Sequence, residues 1–204
     1  MTAIVTERPM IFTAESVRAI LDGIKTQTRR VVKPWPLDQR WDNWATLPPA
    51  RRRPCPHGMP GDCCWVRHSW HHYTPPSTNP ANEQPWDTET RCVRWRTGEV
   101  CKDCMPDTSM PGWRKRPSIY MPRWASRILL EIVSVRVERL KAIVLSESDV
   151  IAEGIRKGCG VALPKRGESL RETFSLLWDS LNAKRGYPWA ANPFVWRIEF
   201  RRVP

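Results

Sequence analysis

Proline restricts the folding of this chain most, because it is concentrated in two long segments. The chain has 204 residues and 20 prolines, and a proline inside a helix or a central strand removes a backbone hydrogen bond. The two runs are Pro34, Pro36, Pro48, Pro49, Pro54, Pro56 and Pro60, and then Pro75, Pro76, Pro80, Pro85, Pro106 and Pro111. We therefore predict irregular insertions at about 33–60 and 71–117, with regular structure around them.

The remaining segments carry apolar patterns that predict a mainly β fold with packed α-helices. Alternation of apolar and polar residues is typical of half-buried strands. It predicts strands at 10–12, 63–70, 127–140 and 194–201, and the third of these changes register near Val133 and Ser134, as a β-bulge would. Ser169 and Glu172 have the spacing of a capping box and predict a long core helix ending at Gly186. Ser146 and Asp149 have the same spacing and predict a short helix through Glu153 that Gly154 stops.

A helix and a cationic segment follow the first predicted strand. Thr13 is an N-cap residue, and an apolar stripe at helical spacing precedes the stop residue Gly23. The stripe consists of Val17, Ile20, Leu21 and Ile24. Beyond Gly23 the residues Lys25, Thr26, Thr28, Arg29 and Arg30 predict a cationic loop, and Val31 and Val32 then indicate a strand.

The charge of the chain favours an anionic partner. There are 33 Lys and Arg residues against 21 Asp and Glu residues, a net charge of +12, which predicts attraction to nucleic acid first and to an anionic membrane surface second. No apolar run approaches the roughly 20 residues that a membrane span needs, and the N-terminus lacks the pattern of a secretory signal. We therefore expect a cytoplasmic protein that does not insert into a membrane.

Seven cysteines without a signal peptide favour reduced thiols or a metal over disulfides. Cys101 and Cys104 have half of the spacing of a zinc site, and Cys55 and His57 can supply the other ligands. Such a zinc ion would be structural, holding proline-rich segments together, and no cofactor is required otherwise. Free buried cysteines are the alternative interpretation.

Four landmarks along the chain resemble, in order, those of the ASCH domain family. They are Gly23-x-Lys25-x-x-x-x-Arg30, Gly61-Asp62 before an apolar strand, Leu145-Ser146-Glu147 through Glu153, and the closing Phe194-Val195-Trp196-Arg197-Ile198-Glu199-Phe200. The family comprises small PUA-like β-barrels of bacteria and phages associated with RNA or modified nucleosides. The resemblance implies a single ASCH-type domain over 8–204, with the two insertions extending the barrel.

The resemblance also implies catalytic residues. In the branch that is similar to acetylcytidine amidohydrolases, a lysine, a threonine three residues on and a later glutamate are catalytic, and Lys25, Thr28 and Glu153 match them, with Glu147 as a competitor for the third role. Lys25 can act as the base for a Thr28 nucleophile, while Glu153 protonates the leaving amine. Alternatively Glu153 activates water and Lys25 stabilises the oxyanion. In a structural interpretation Lys25 binds phosphate, Thr28 bonds to the backbone and Glu153 forms a salt bridge.

Cationic and aromatic residues predict a nucleic-acid surface near the same segment. The candidates are Arg29, Arg30, Lys33 and Arg67 for phosphate, with Trp65 and Trp124 for base stacking. The expected partner is RNA, DNA or a nucleoside substrate. Three functions remain open: an amidohydrolase of a modified nucleobase, a non-catalytic RNA or modified-nucleic-acid binding module, and a ribonuclease, for which the sequence has no carboxylate cluster or histidine pair to hold a metal.

Overall fold

A computed structural model describes residues 6–33, 54–73, 93–95, 113–156, 161–162 and 167–204. Most of the two predicted insertions, including the candidate zinc ligands Cys101 and Cys104, lies outside these described residues. The described part is an α+β structure whose core is mainly sheet.

Eight strands and three α-helices make up the described part. The strands are β1 (Glu7–Ile11), β2 (Gln27–Val31), β3 (Cys63–Arg67), β4 (Trp70–Tyr73), β5 (Val93–Trp95), β6 (Trp113–Arg116), β7 (Leu129–Arg139) and β8 (Phe194–Arg202). The helices are α1 (Ala14–Leu21), α2 (Glu147–Ala152) and α3 (Leu170–Asn182). Short 3₁₀ turns occupy Ser118–Tyr120, Arg123–Ala125, Leu140–Leu145, Ala183–Arg185 and Trp189–Ala191.

The larger of two sheets has five strands in the order β1-β3-β7-β8-β2. Strand β1 is parallel to β3, and the other three pairs are antiparallel. Consequently the strands at the two edges, β1 and β2, are consecutive along the chain and are connected by α1. The smaller sheet, in the order β5-β4-β6, is antiparallel.

The expected closed barrel is not observed, since no ladder joins β1 to β2 within the described residues. A side chain spans the gap instead: Arg30 Nη2 of β2 donates a hydrogen bond to the Ile11 carbonyl oxygen of β1, at 2.6 Å. The sheet is therefore open along this seam, with its two edges close enough for one arginine to join them.

The core lies on both sides of the closing strand β8. Trp196, Ile198 and Phe200 pack into one apolar cluster with α1 and the inner face of the sheet. Val195 points the other way and packs against residues of α2 and α3, among them Val150 and Phe174. The alternation predicted for this strand is confirmed, and it places α2 and α3 against the back of β8 near β2.

Of the six predicted helix ends, those at Thr13, Gly23, Gly154 and Ser169 are confirmed, whereas α3 ends at Asn182 and a 3₁₀ turn continues from it to Gly186. The Thr13 hydroxyl accepts a hydrogen bond from Ser16 N–H, Gly23 has φ +71°, and Ser169 and Glu172 form both arms of a capping box. Ser146 makes no capping hydrogen bond; its hydroxyl lies 2.6 Å from that of Ser148 instead. The side-chain pair competes with the backbone for the Ser146 hydroxyl, which is why the expected capping box is absent.

The cationic segment differs most from its prediction. Of the residues expected to form a loop after Gly23, Lys25 and Thr26 have no regular structure, whereas Thr28, Arg29 and Arg30 belong to strand β2, which pairs with β8 from Gln27 to Val31. Alternating side chains of β2 therefore point to opposite faces, and Arg29 and Arg30 have different surroundings. The predicted bulge in β7 is confirmed by the register shift between Ile132 and Ser134.

The buried imidazole of His68 makes the stability of the fold depend on pH. It is 1% exposed, Nδ1 donates to the Ser69 carbonyl oxygen at 3.0 Å, and burial lowers its pKa to about 4. The unfolded chain takes up a proton near pH 6.5 and the folded protein does not. The free energy of unfolding that His68 contributes above pH 6.5, about 3 kcal/mol, is therefore lost as the pH falls from 6.5 to 4.

We predict that His68→Gln makes the free energy of unfolding less dependent on pH in that range. Chemical denaturation between pH 7 and 4 measures it: the wild-type value should fall by about 3 kcal/mol more than that of the variant. Parallel curves for the two proteins would contradict a neutral, buried His68.

Candidate functional site

A cleft of about 640 Å³ opens along the seam between the edge strands. Ile11 and Phe12 line it from the β1 side, and Arg30 and Val31 line it from β2. One part of its wall is polar and includes the three predicted catalytic residues, Lys25, Thr28 and Glu153. Another part is apolar and comes from α3 and the segment after it, with Phe174, Leu177, Trp178, Leu181 and Tyr187. Polar groups facing an apolar wall in a cavity of this size are typical of a small-molecule site.

Lys25 and Glu153 form a buried ion pair in the cleft. Lys25 Nζ donates to the Glu153 carboxylate (Oε2, 3.0 Å) and to the Glu153 backbone carbonyl (2.6 Å), although the residues are 128 positions apart. Glu153 caps the C-terminus of α2, and the following Gly154 has φ +93°. A Cβ on Gly154 would lie 3.3 Å from Lys25 Cβ and 2.5 Å from Val161 Cγ2. Glycine at 154 therefore allows the two segments to approach.

A second cation, Arg29, holds the other oxygen of Glu153. Arg29 Nη1 donates to Glu153 Oε1 at 3.0 Å, Nε donates to Glu138 Oε1 at 2.8 Å, and Nη2 lies 3.3 Å from Asp149 Oδ2. Its side chain is only 1% exposed. Both oxygens of Glu153 are thus fixed by cations, and three carboxylates from β7 and α2 surround one guanidinium.

Gln27 and Arg197 extend this network behind the cleft. Gln27 Nε2 donates to the Asp149 carbonyl oxygen at 2.7 Å, and Arg197 Nε donates to Gln27 Oε1 at 3.1 Å. Arg197 Nη2 also lies 3.0 Å from Asp149 Oδ1 and 2.8 Å from Glu199 Oε1. The backs of β2 and β8 are therefore tied to α2, which carries Glu153.

Burial and charge act in opposite directions on Lys25. Burial lowers the pKa of the Lys25 ammonium from its usual value, the Glu153 carboxylate raises it, and Arg30 and Arg29 lower it further; the net change is downward. A lowered pKa is the direction that a lysine general base needs. The Lys25 ammonium therefore releases its proton more readily than that of an exposed lysine.

Thr28 lies on the opposite face of β2 from Arg29. It is buried and lines the cleft, and its hydroxyl forms no hydrogen bond with any residue that the structure describes. A hydroxyl with a free donor and acceptor in a cleft can approach a bound carbonyl group. The structure thus brings Lys25, Thr28 and Glu153 to one cleft, whereas Glu147, the competing carboxylate, is exposed and does not line it.

The predicted nucleic-acid residues separate into two groups. Arg29, Arg30 and Lys33 line the cleft, whereas the other three lie outside it. Arg29 does not present donors to a phosphate, because three carboxylates occupy its buried guanidinium, and we correct that prediction.

The predicted stacking residues lie outside the cleft. Trp65 is buried, with the Arg67 guanidinium 4.5 Å from its ring centre. Trp124 is 47% exposed and its ring is perpendicular to that of Trp70, with ring centres 6.0 Å apart. Neither tryptophan nor Arg67 lines the cleft. A base entering it would therefore meet the apolar residues of α3 rather than these tryptophans.

Two of the four candidate zinc ligands fall within the described residues. Cys55 is buried, and burial raises the pKa of its thiol to about 11. The neighbouring Cys64 thiol has its pKa raised to about 12, mainly by burial, and donates to the His57 carbonyl oxygen at 3.2 Å. No group of three or more metal-binding side chains occurs within the described ranges. Cys55 and Cys64 are protonated thiols in the surroundings that the structure describes.

Comparison with protein-family models, with curated proteins and with solved structures found no match to this chain. Among the described helices, none is long and apolar enough to cross a membrane.

Sequence reasoning missed the residues that hold Glu153 in place, namely Gln27, Glu138, Asp149 and Arg197. One signal becomes visible once the strands are paired: Arg29 lies directly opposite Arg197 across β2 and β8. Two like charges at facing positions destabilise a sheet unless acids neutralise them. This pairing therefore requires carboxylates nearby, which β7 and α2 supply.

We predict that Arg29→Ala lowers the free energy of unfolding by about 3 to 5 kcal/mol, because it removes the buried cation that holds Glu153 Oε1 and Glu138. Denaturant unfolding measures the loss. Arg201→Ala is the matched control, since its pair with Glu131 is exposed (side chains 70% and 32% exposed). It should cost about 1 kcal/mol or less. Equal losses in the two variants would show that the Arg29 cluster does not hold the fold.

Proposed function

We propose that this chain is an ASCH-type protein with a PUA-like fold, spanning 8–204 as one domain. Support comes from where its landmarks lie. The Gly23 to Arg30 segment leads into β2, the Gly61-Asp62 turn leads into β3, and the closing landmark is β8, all three in one sheet. The remaining landmark, from Leu145 to Glu153, contains α2, which packs behind that sheet.

We further propose that the protein is a hydrolase that removes an acyl group from a modified nucleobase, as in acetylcytidine. The observation that carries this proposal is the buried Lys25–Glu153 pair in the cleft that Thr28 also lines. Burial lowers the pKa of Lys25, and a proton acceptor and a free hydroxyl in one cleft are the two groups that nucleophilic catalysis requires. The apolar side chains of α3 offer a surface for the base.

The chemistry can be written with these three side chains and water. In the reactive form the proton shared by the Lys25–Glu153 hydrogen bond lies on Glu153, so Lys25 is a neutral amine. Thr28 Oγ1 attacks the amide carbon, and its proton passes to Lys25 Nζ. The carbon–nitrogen bond then breaks, and the proton reaches the leaving amine by way of the Lys25–Glu153 hydrogen bond. Water attacks the Thr28 ester and gives up a proton to Glu153, while Lys25 returns a proton to Thr28 Oγ1. The carboxylic acid is released, and Thr28 and the pair are restored. Attack needs the hydroxyl within about 3 to 3.5 Å of the amide carbon.

One observation favours a second function, a binding module for RNA or modified nucleic acid without turnover. Both oxygens of Glu153 already accept hydrogen bonds, from Lys25 and Arg29, as in a purely structural ion cluster. A metal-dependent ribonuclease has less support, because the described residues hold no cluster of metal-binding side chains.

We predict that the wild-type protein hydrolyses one or more members of a panel of acylated nucleosides, and that substitutions in the proposed site abolish this. Thr28→Val keeps the size of the side chain and removes the nucleophile. Lys25→Met removes the base, and Glu153→Gln removes the proton carrier. Each should lower kcat/KM on the order of 10²-fold or more, measured by chromatography of the nucleoside product.

Matched controls lie close to the same residues. Thr26→Val and Glu147→Gln change exposed side chains outside the cleft and should leave kcat/KM unchanged. Thermal unfolding identifies any variant that fails to fold, and Thr28→Val is the decisive one because its hydroxyl bonds to no described residue. A wild-type protein that binds the nucleosides without hydrolysing them would establish the binding module instead.

A further inference from the structure

Besides Lys25 and Arg29, four basic side chains line the cleft from separate parts of the fold. Arg30 belongs to β2 and Lys33 follows that strand, His57 lies in the segment before β3, and Arg185 ends the turn after α3. They are near enough to influence one another. Arg185 lowers the pKa of Arg30, and both Arg30 and Lys33 lower that of His57.

The charges that line the cleft do not balance. Lys25 and Arg29 are paired with Glu153. The other lining carboxylate is that of Glu15, which is exposed in the first turn of α1. Arg30, Lys33 and Arg185 form no ion pair within the part of the chain that the structure describes, so three cations face one carboxylate.

Arg30 also keeps hydrogen-bonding capacity that the fold does not use. Its Nη2 donates to the Ile11 carbonyl oxygen at 2.6 Å, while its buried Nε has no hydrogen-bond partner among the described residues. Burial is the main cause that lowers the pKa of Arg30. Burial likewise lowers the pKa of His57 to about 4, so its ring is neutral at pH 7 and can donate one hydrogen bond. A partly desolvated guanidinium with cations beside it favours a bound oxyanion.

We propose that Arg30, Lys33, His57 and Arg185 form a phosphate subsite, so that the cleft binds a nucleoside monophosphate in preference to the uncharged nucleoside. The choice of a nucleoside as the ligand rests on the proposed function. The volume of about 640 Å³ lies within the range of about 300 to 1,000 Å³ that is usual for small-ligand sites. The phosphate would lie at the cationic residues, and the base would lie against the apolar side chains of α3.

Calorimetric titration of the full chain with cytidine and with cytidine 5′-monophosphate tests the subsite. The nucleotide should bind about tenfold more tightly or better, and added salt should reduce the ratio. The double variant Lys33→Ala with Arg185→Ala changes exposed side chains and should reduce that ratio to about one, while Arg185→Lys alone should retain most of it. Lys184→Ala is the matched control, because Lys184 is an exposed neighbour of Arg185 that does not line the cleft.

Equal affinity for nucleoside and nucleotide, or no binding of the nucleotide, would overturn the phosphate subsite. A single-stranded oligonucleotide that binds far more tightly than the nucleotide, with the same dependence on Lys33 and Arg185, would overturn the assignment to a monophosphate. Neither ligand carries an acyl group, so these results do not depend on hydrolysis. Turnover of an acylated nucleoside together with equal affinities would reject the subsite and leave the proposed function standing.

Discussion

The Glu153 carboxylate, held between Lys25 and Arg29, is the interaction on which the rest of the site depends. A buried carboxylate costs several kcal/mol unless cations and hydrogen bonds compensate it, and here each oxygen has its own cation. These contacts also fix the position of the Glu153 carboxylate, because Arg29 is in turn held by Glu138 and Asp149. Strands β2 and β7 and helix α2 therefore meet at one carboxylate.

The open seam of the sheet explains why this cluster borders a cleft. The edge strands β1 and β2 are joined by the Arg30 side chain rather than by a backbone ladder. A continuous ladder would bring the two strands within about 5 Å of each other and leave no room for a ligand. Lys25 and Thr28 lie at this gap, so their side chains reach a cavity while the opposite face of β2 anchors the structure.

The sequence predicted local structure best where one residue type has one physical role. The hydroxyls of Thr13 and Ser169 cap helices, and Gly23 follows the end of one because it has no side chain to oppose a positive φ. The order of the landmarks also placed Lys25, Thr28 and Glu153 correctly as neighbours of one cleft. The family resemblance itself, and the catalytic roles that it implies, stay predictions.

What could not be predicted depends on pairing between distant strands. The positive charge of the segment around Arg29 indicated an exposed loop. In the structure this segment is β2, and its pairing with β8 turns Arg29 inward toward carboxylates more than 100 positions away. The same applies to Trp65. From the sequence we predicted that its ring stacks on a base, but it is buried on β3, an interior strand of the sheet. Whether a charge or an aromatic ring is buried depends on how distant strands pair, and the local sequence pattern does not show that pairing.

Mass spectrometry of protein quenched during reaction with acetylcytidine tests most directly whether the buried pair serves chemistry. We expect a transient population of chains that carry one acetyl group, mapped by peptide fragmentation to Thr28, together with deacetylated nucleoside in the same sample. Intact acetylcytidine after prolonged incubation, with no acetyl group on any chain, would contradict the account and leave Lys25, Arg29 and Glu153 as an ion cluster that only supports the fold.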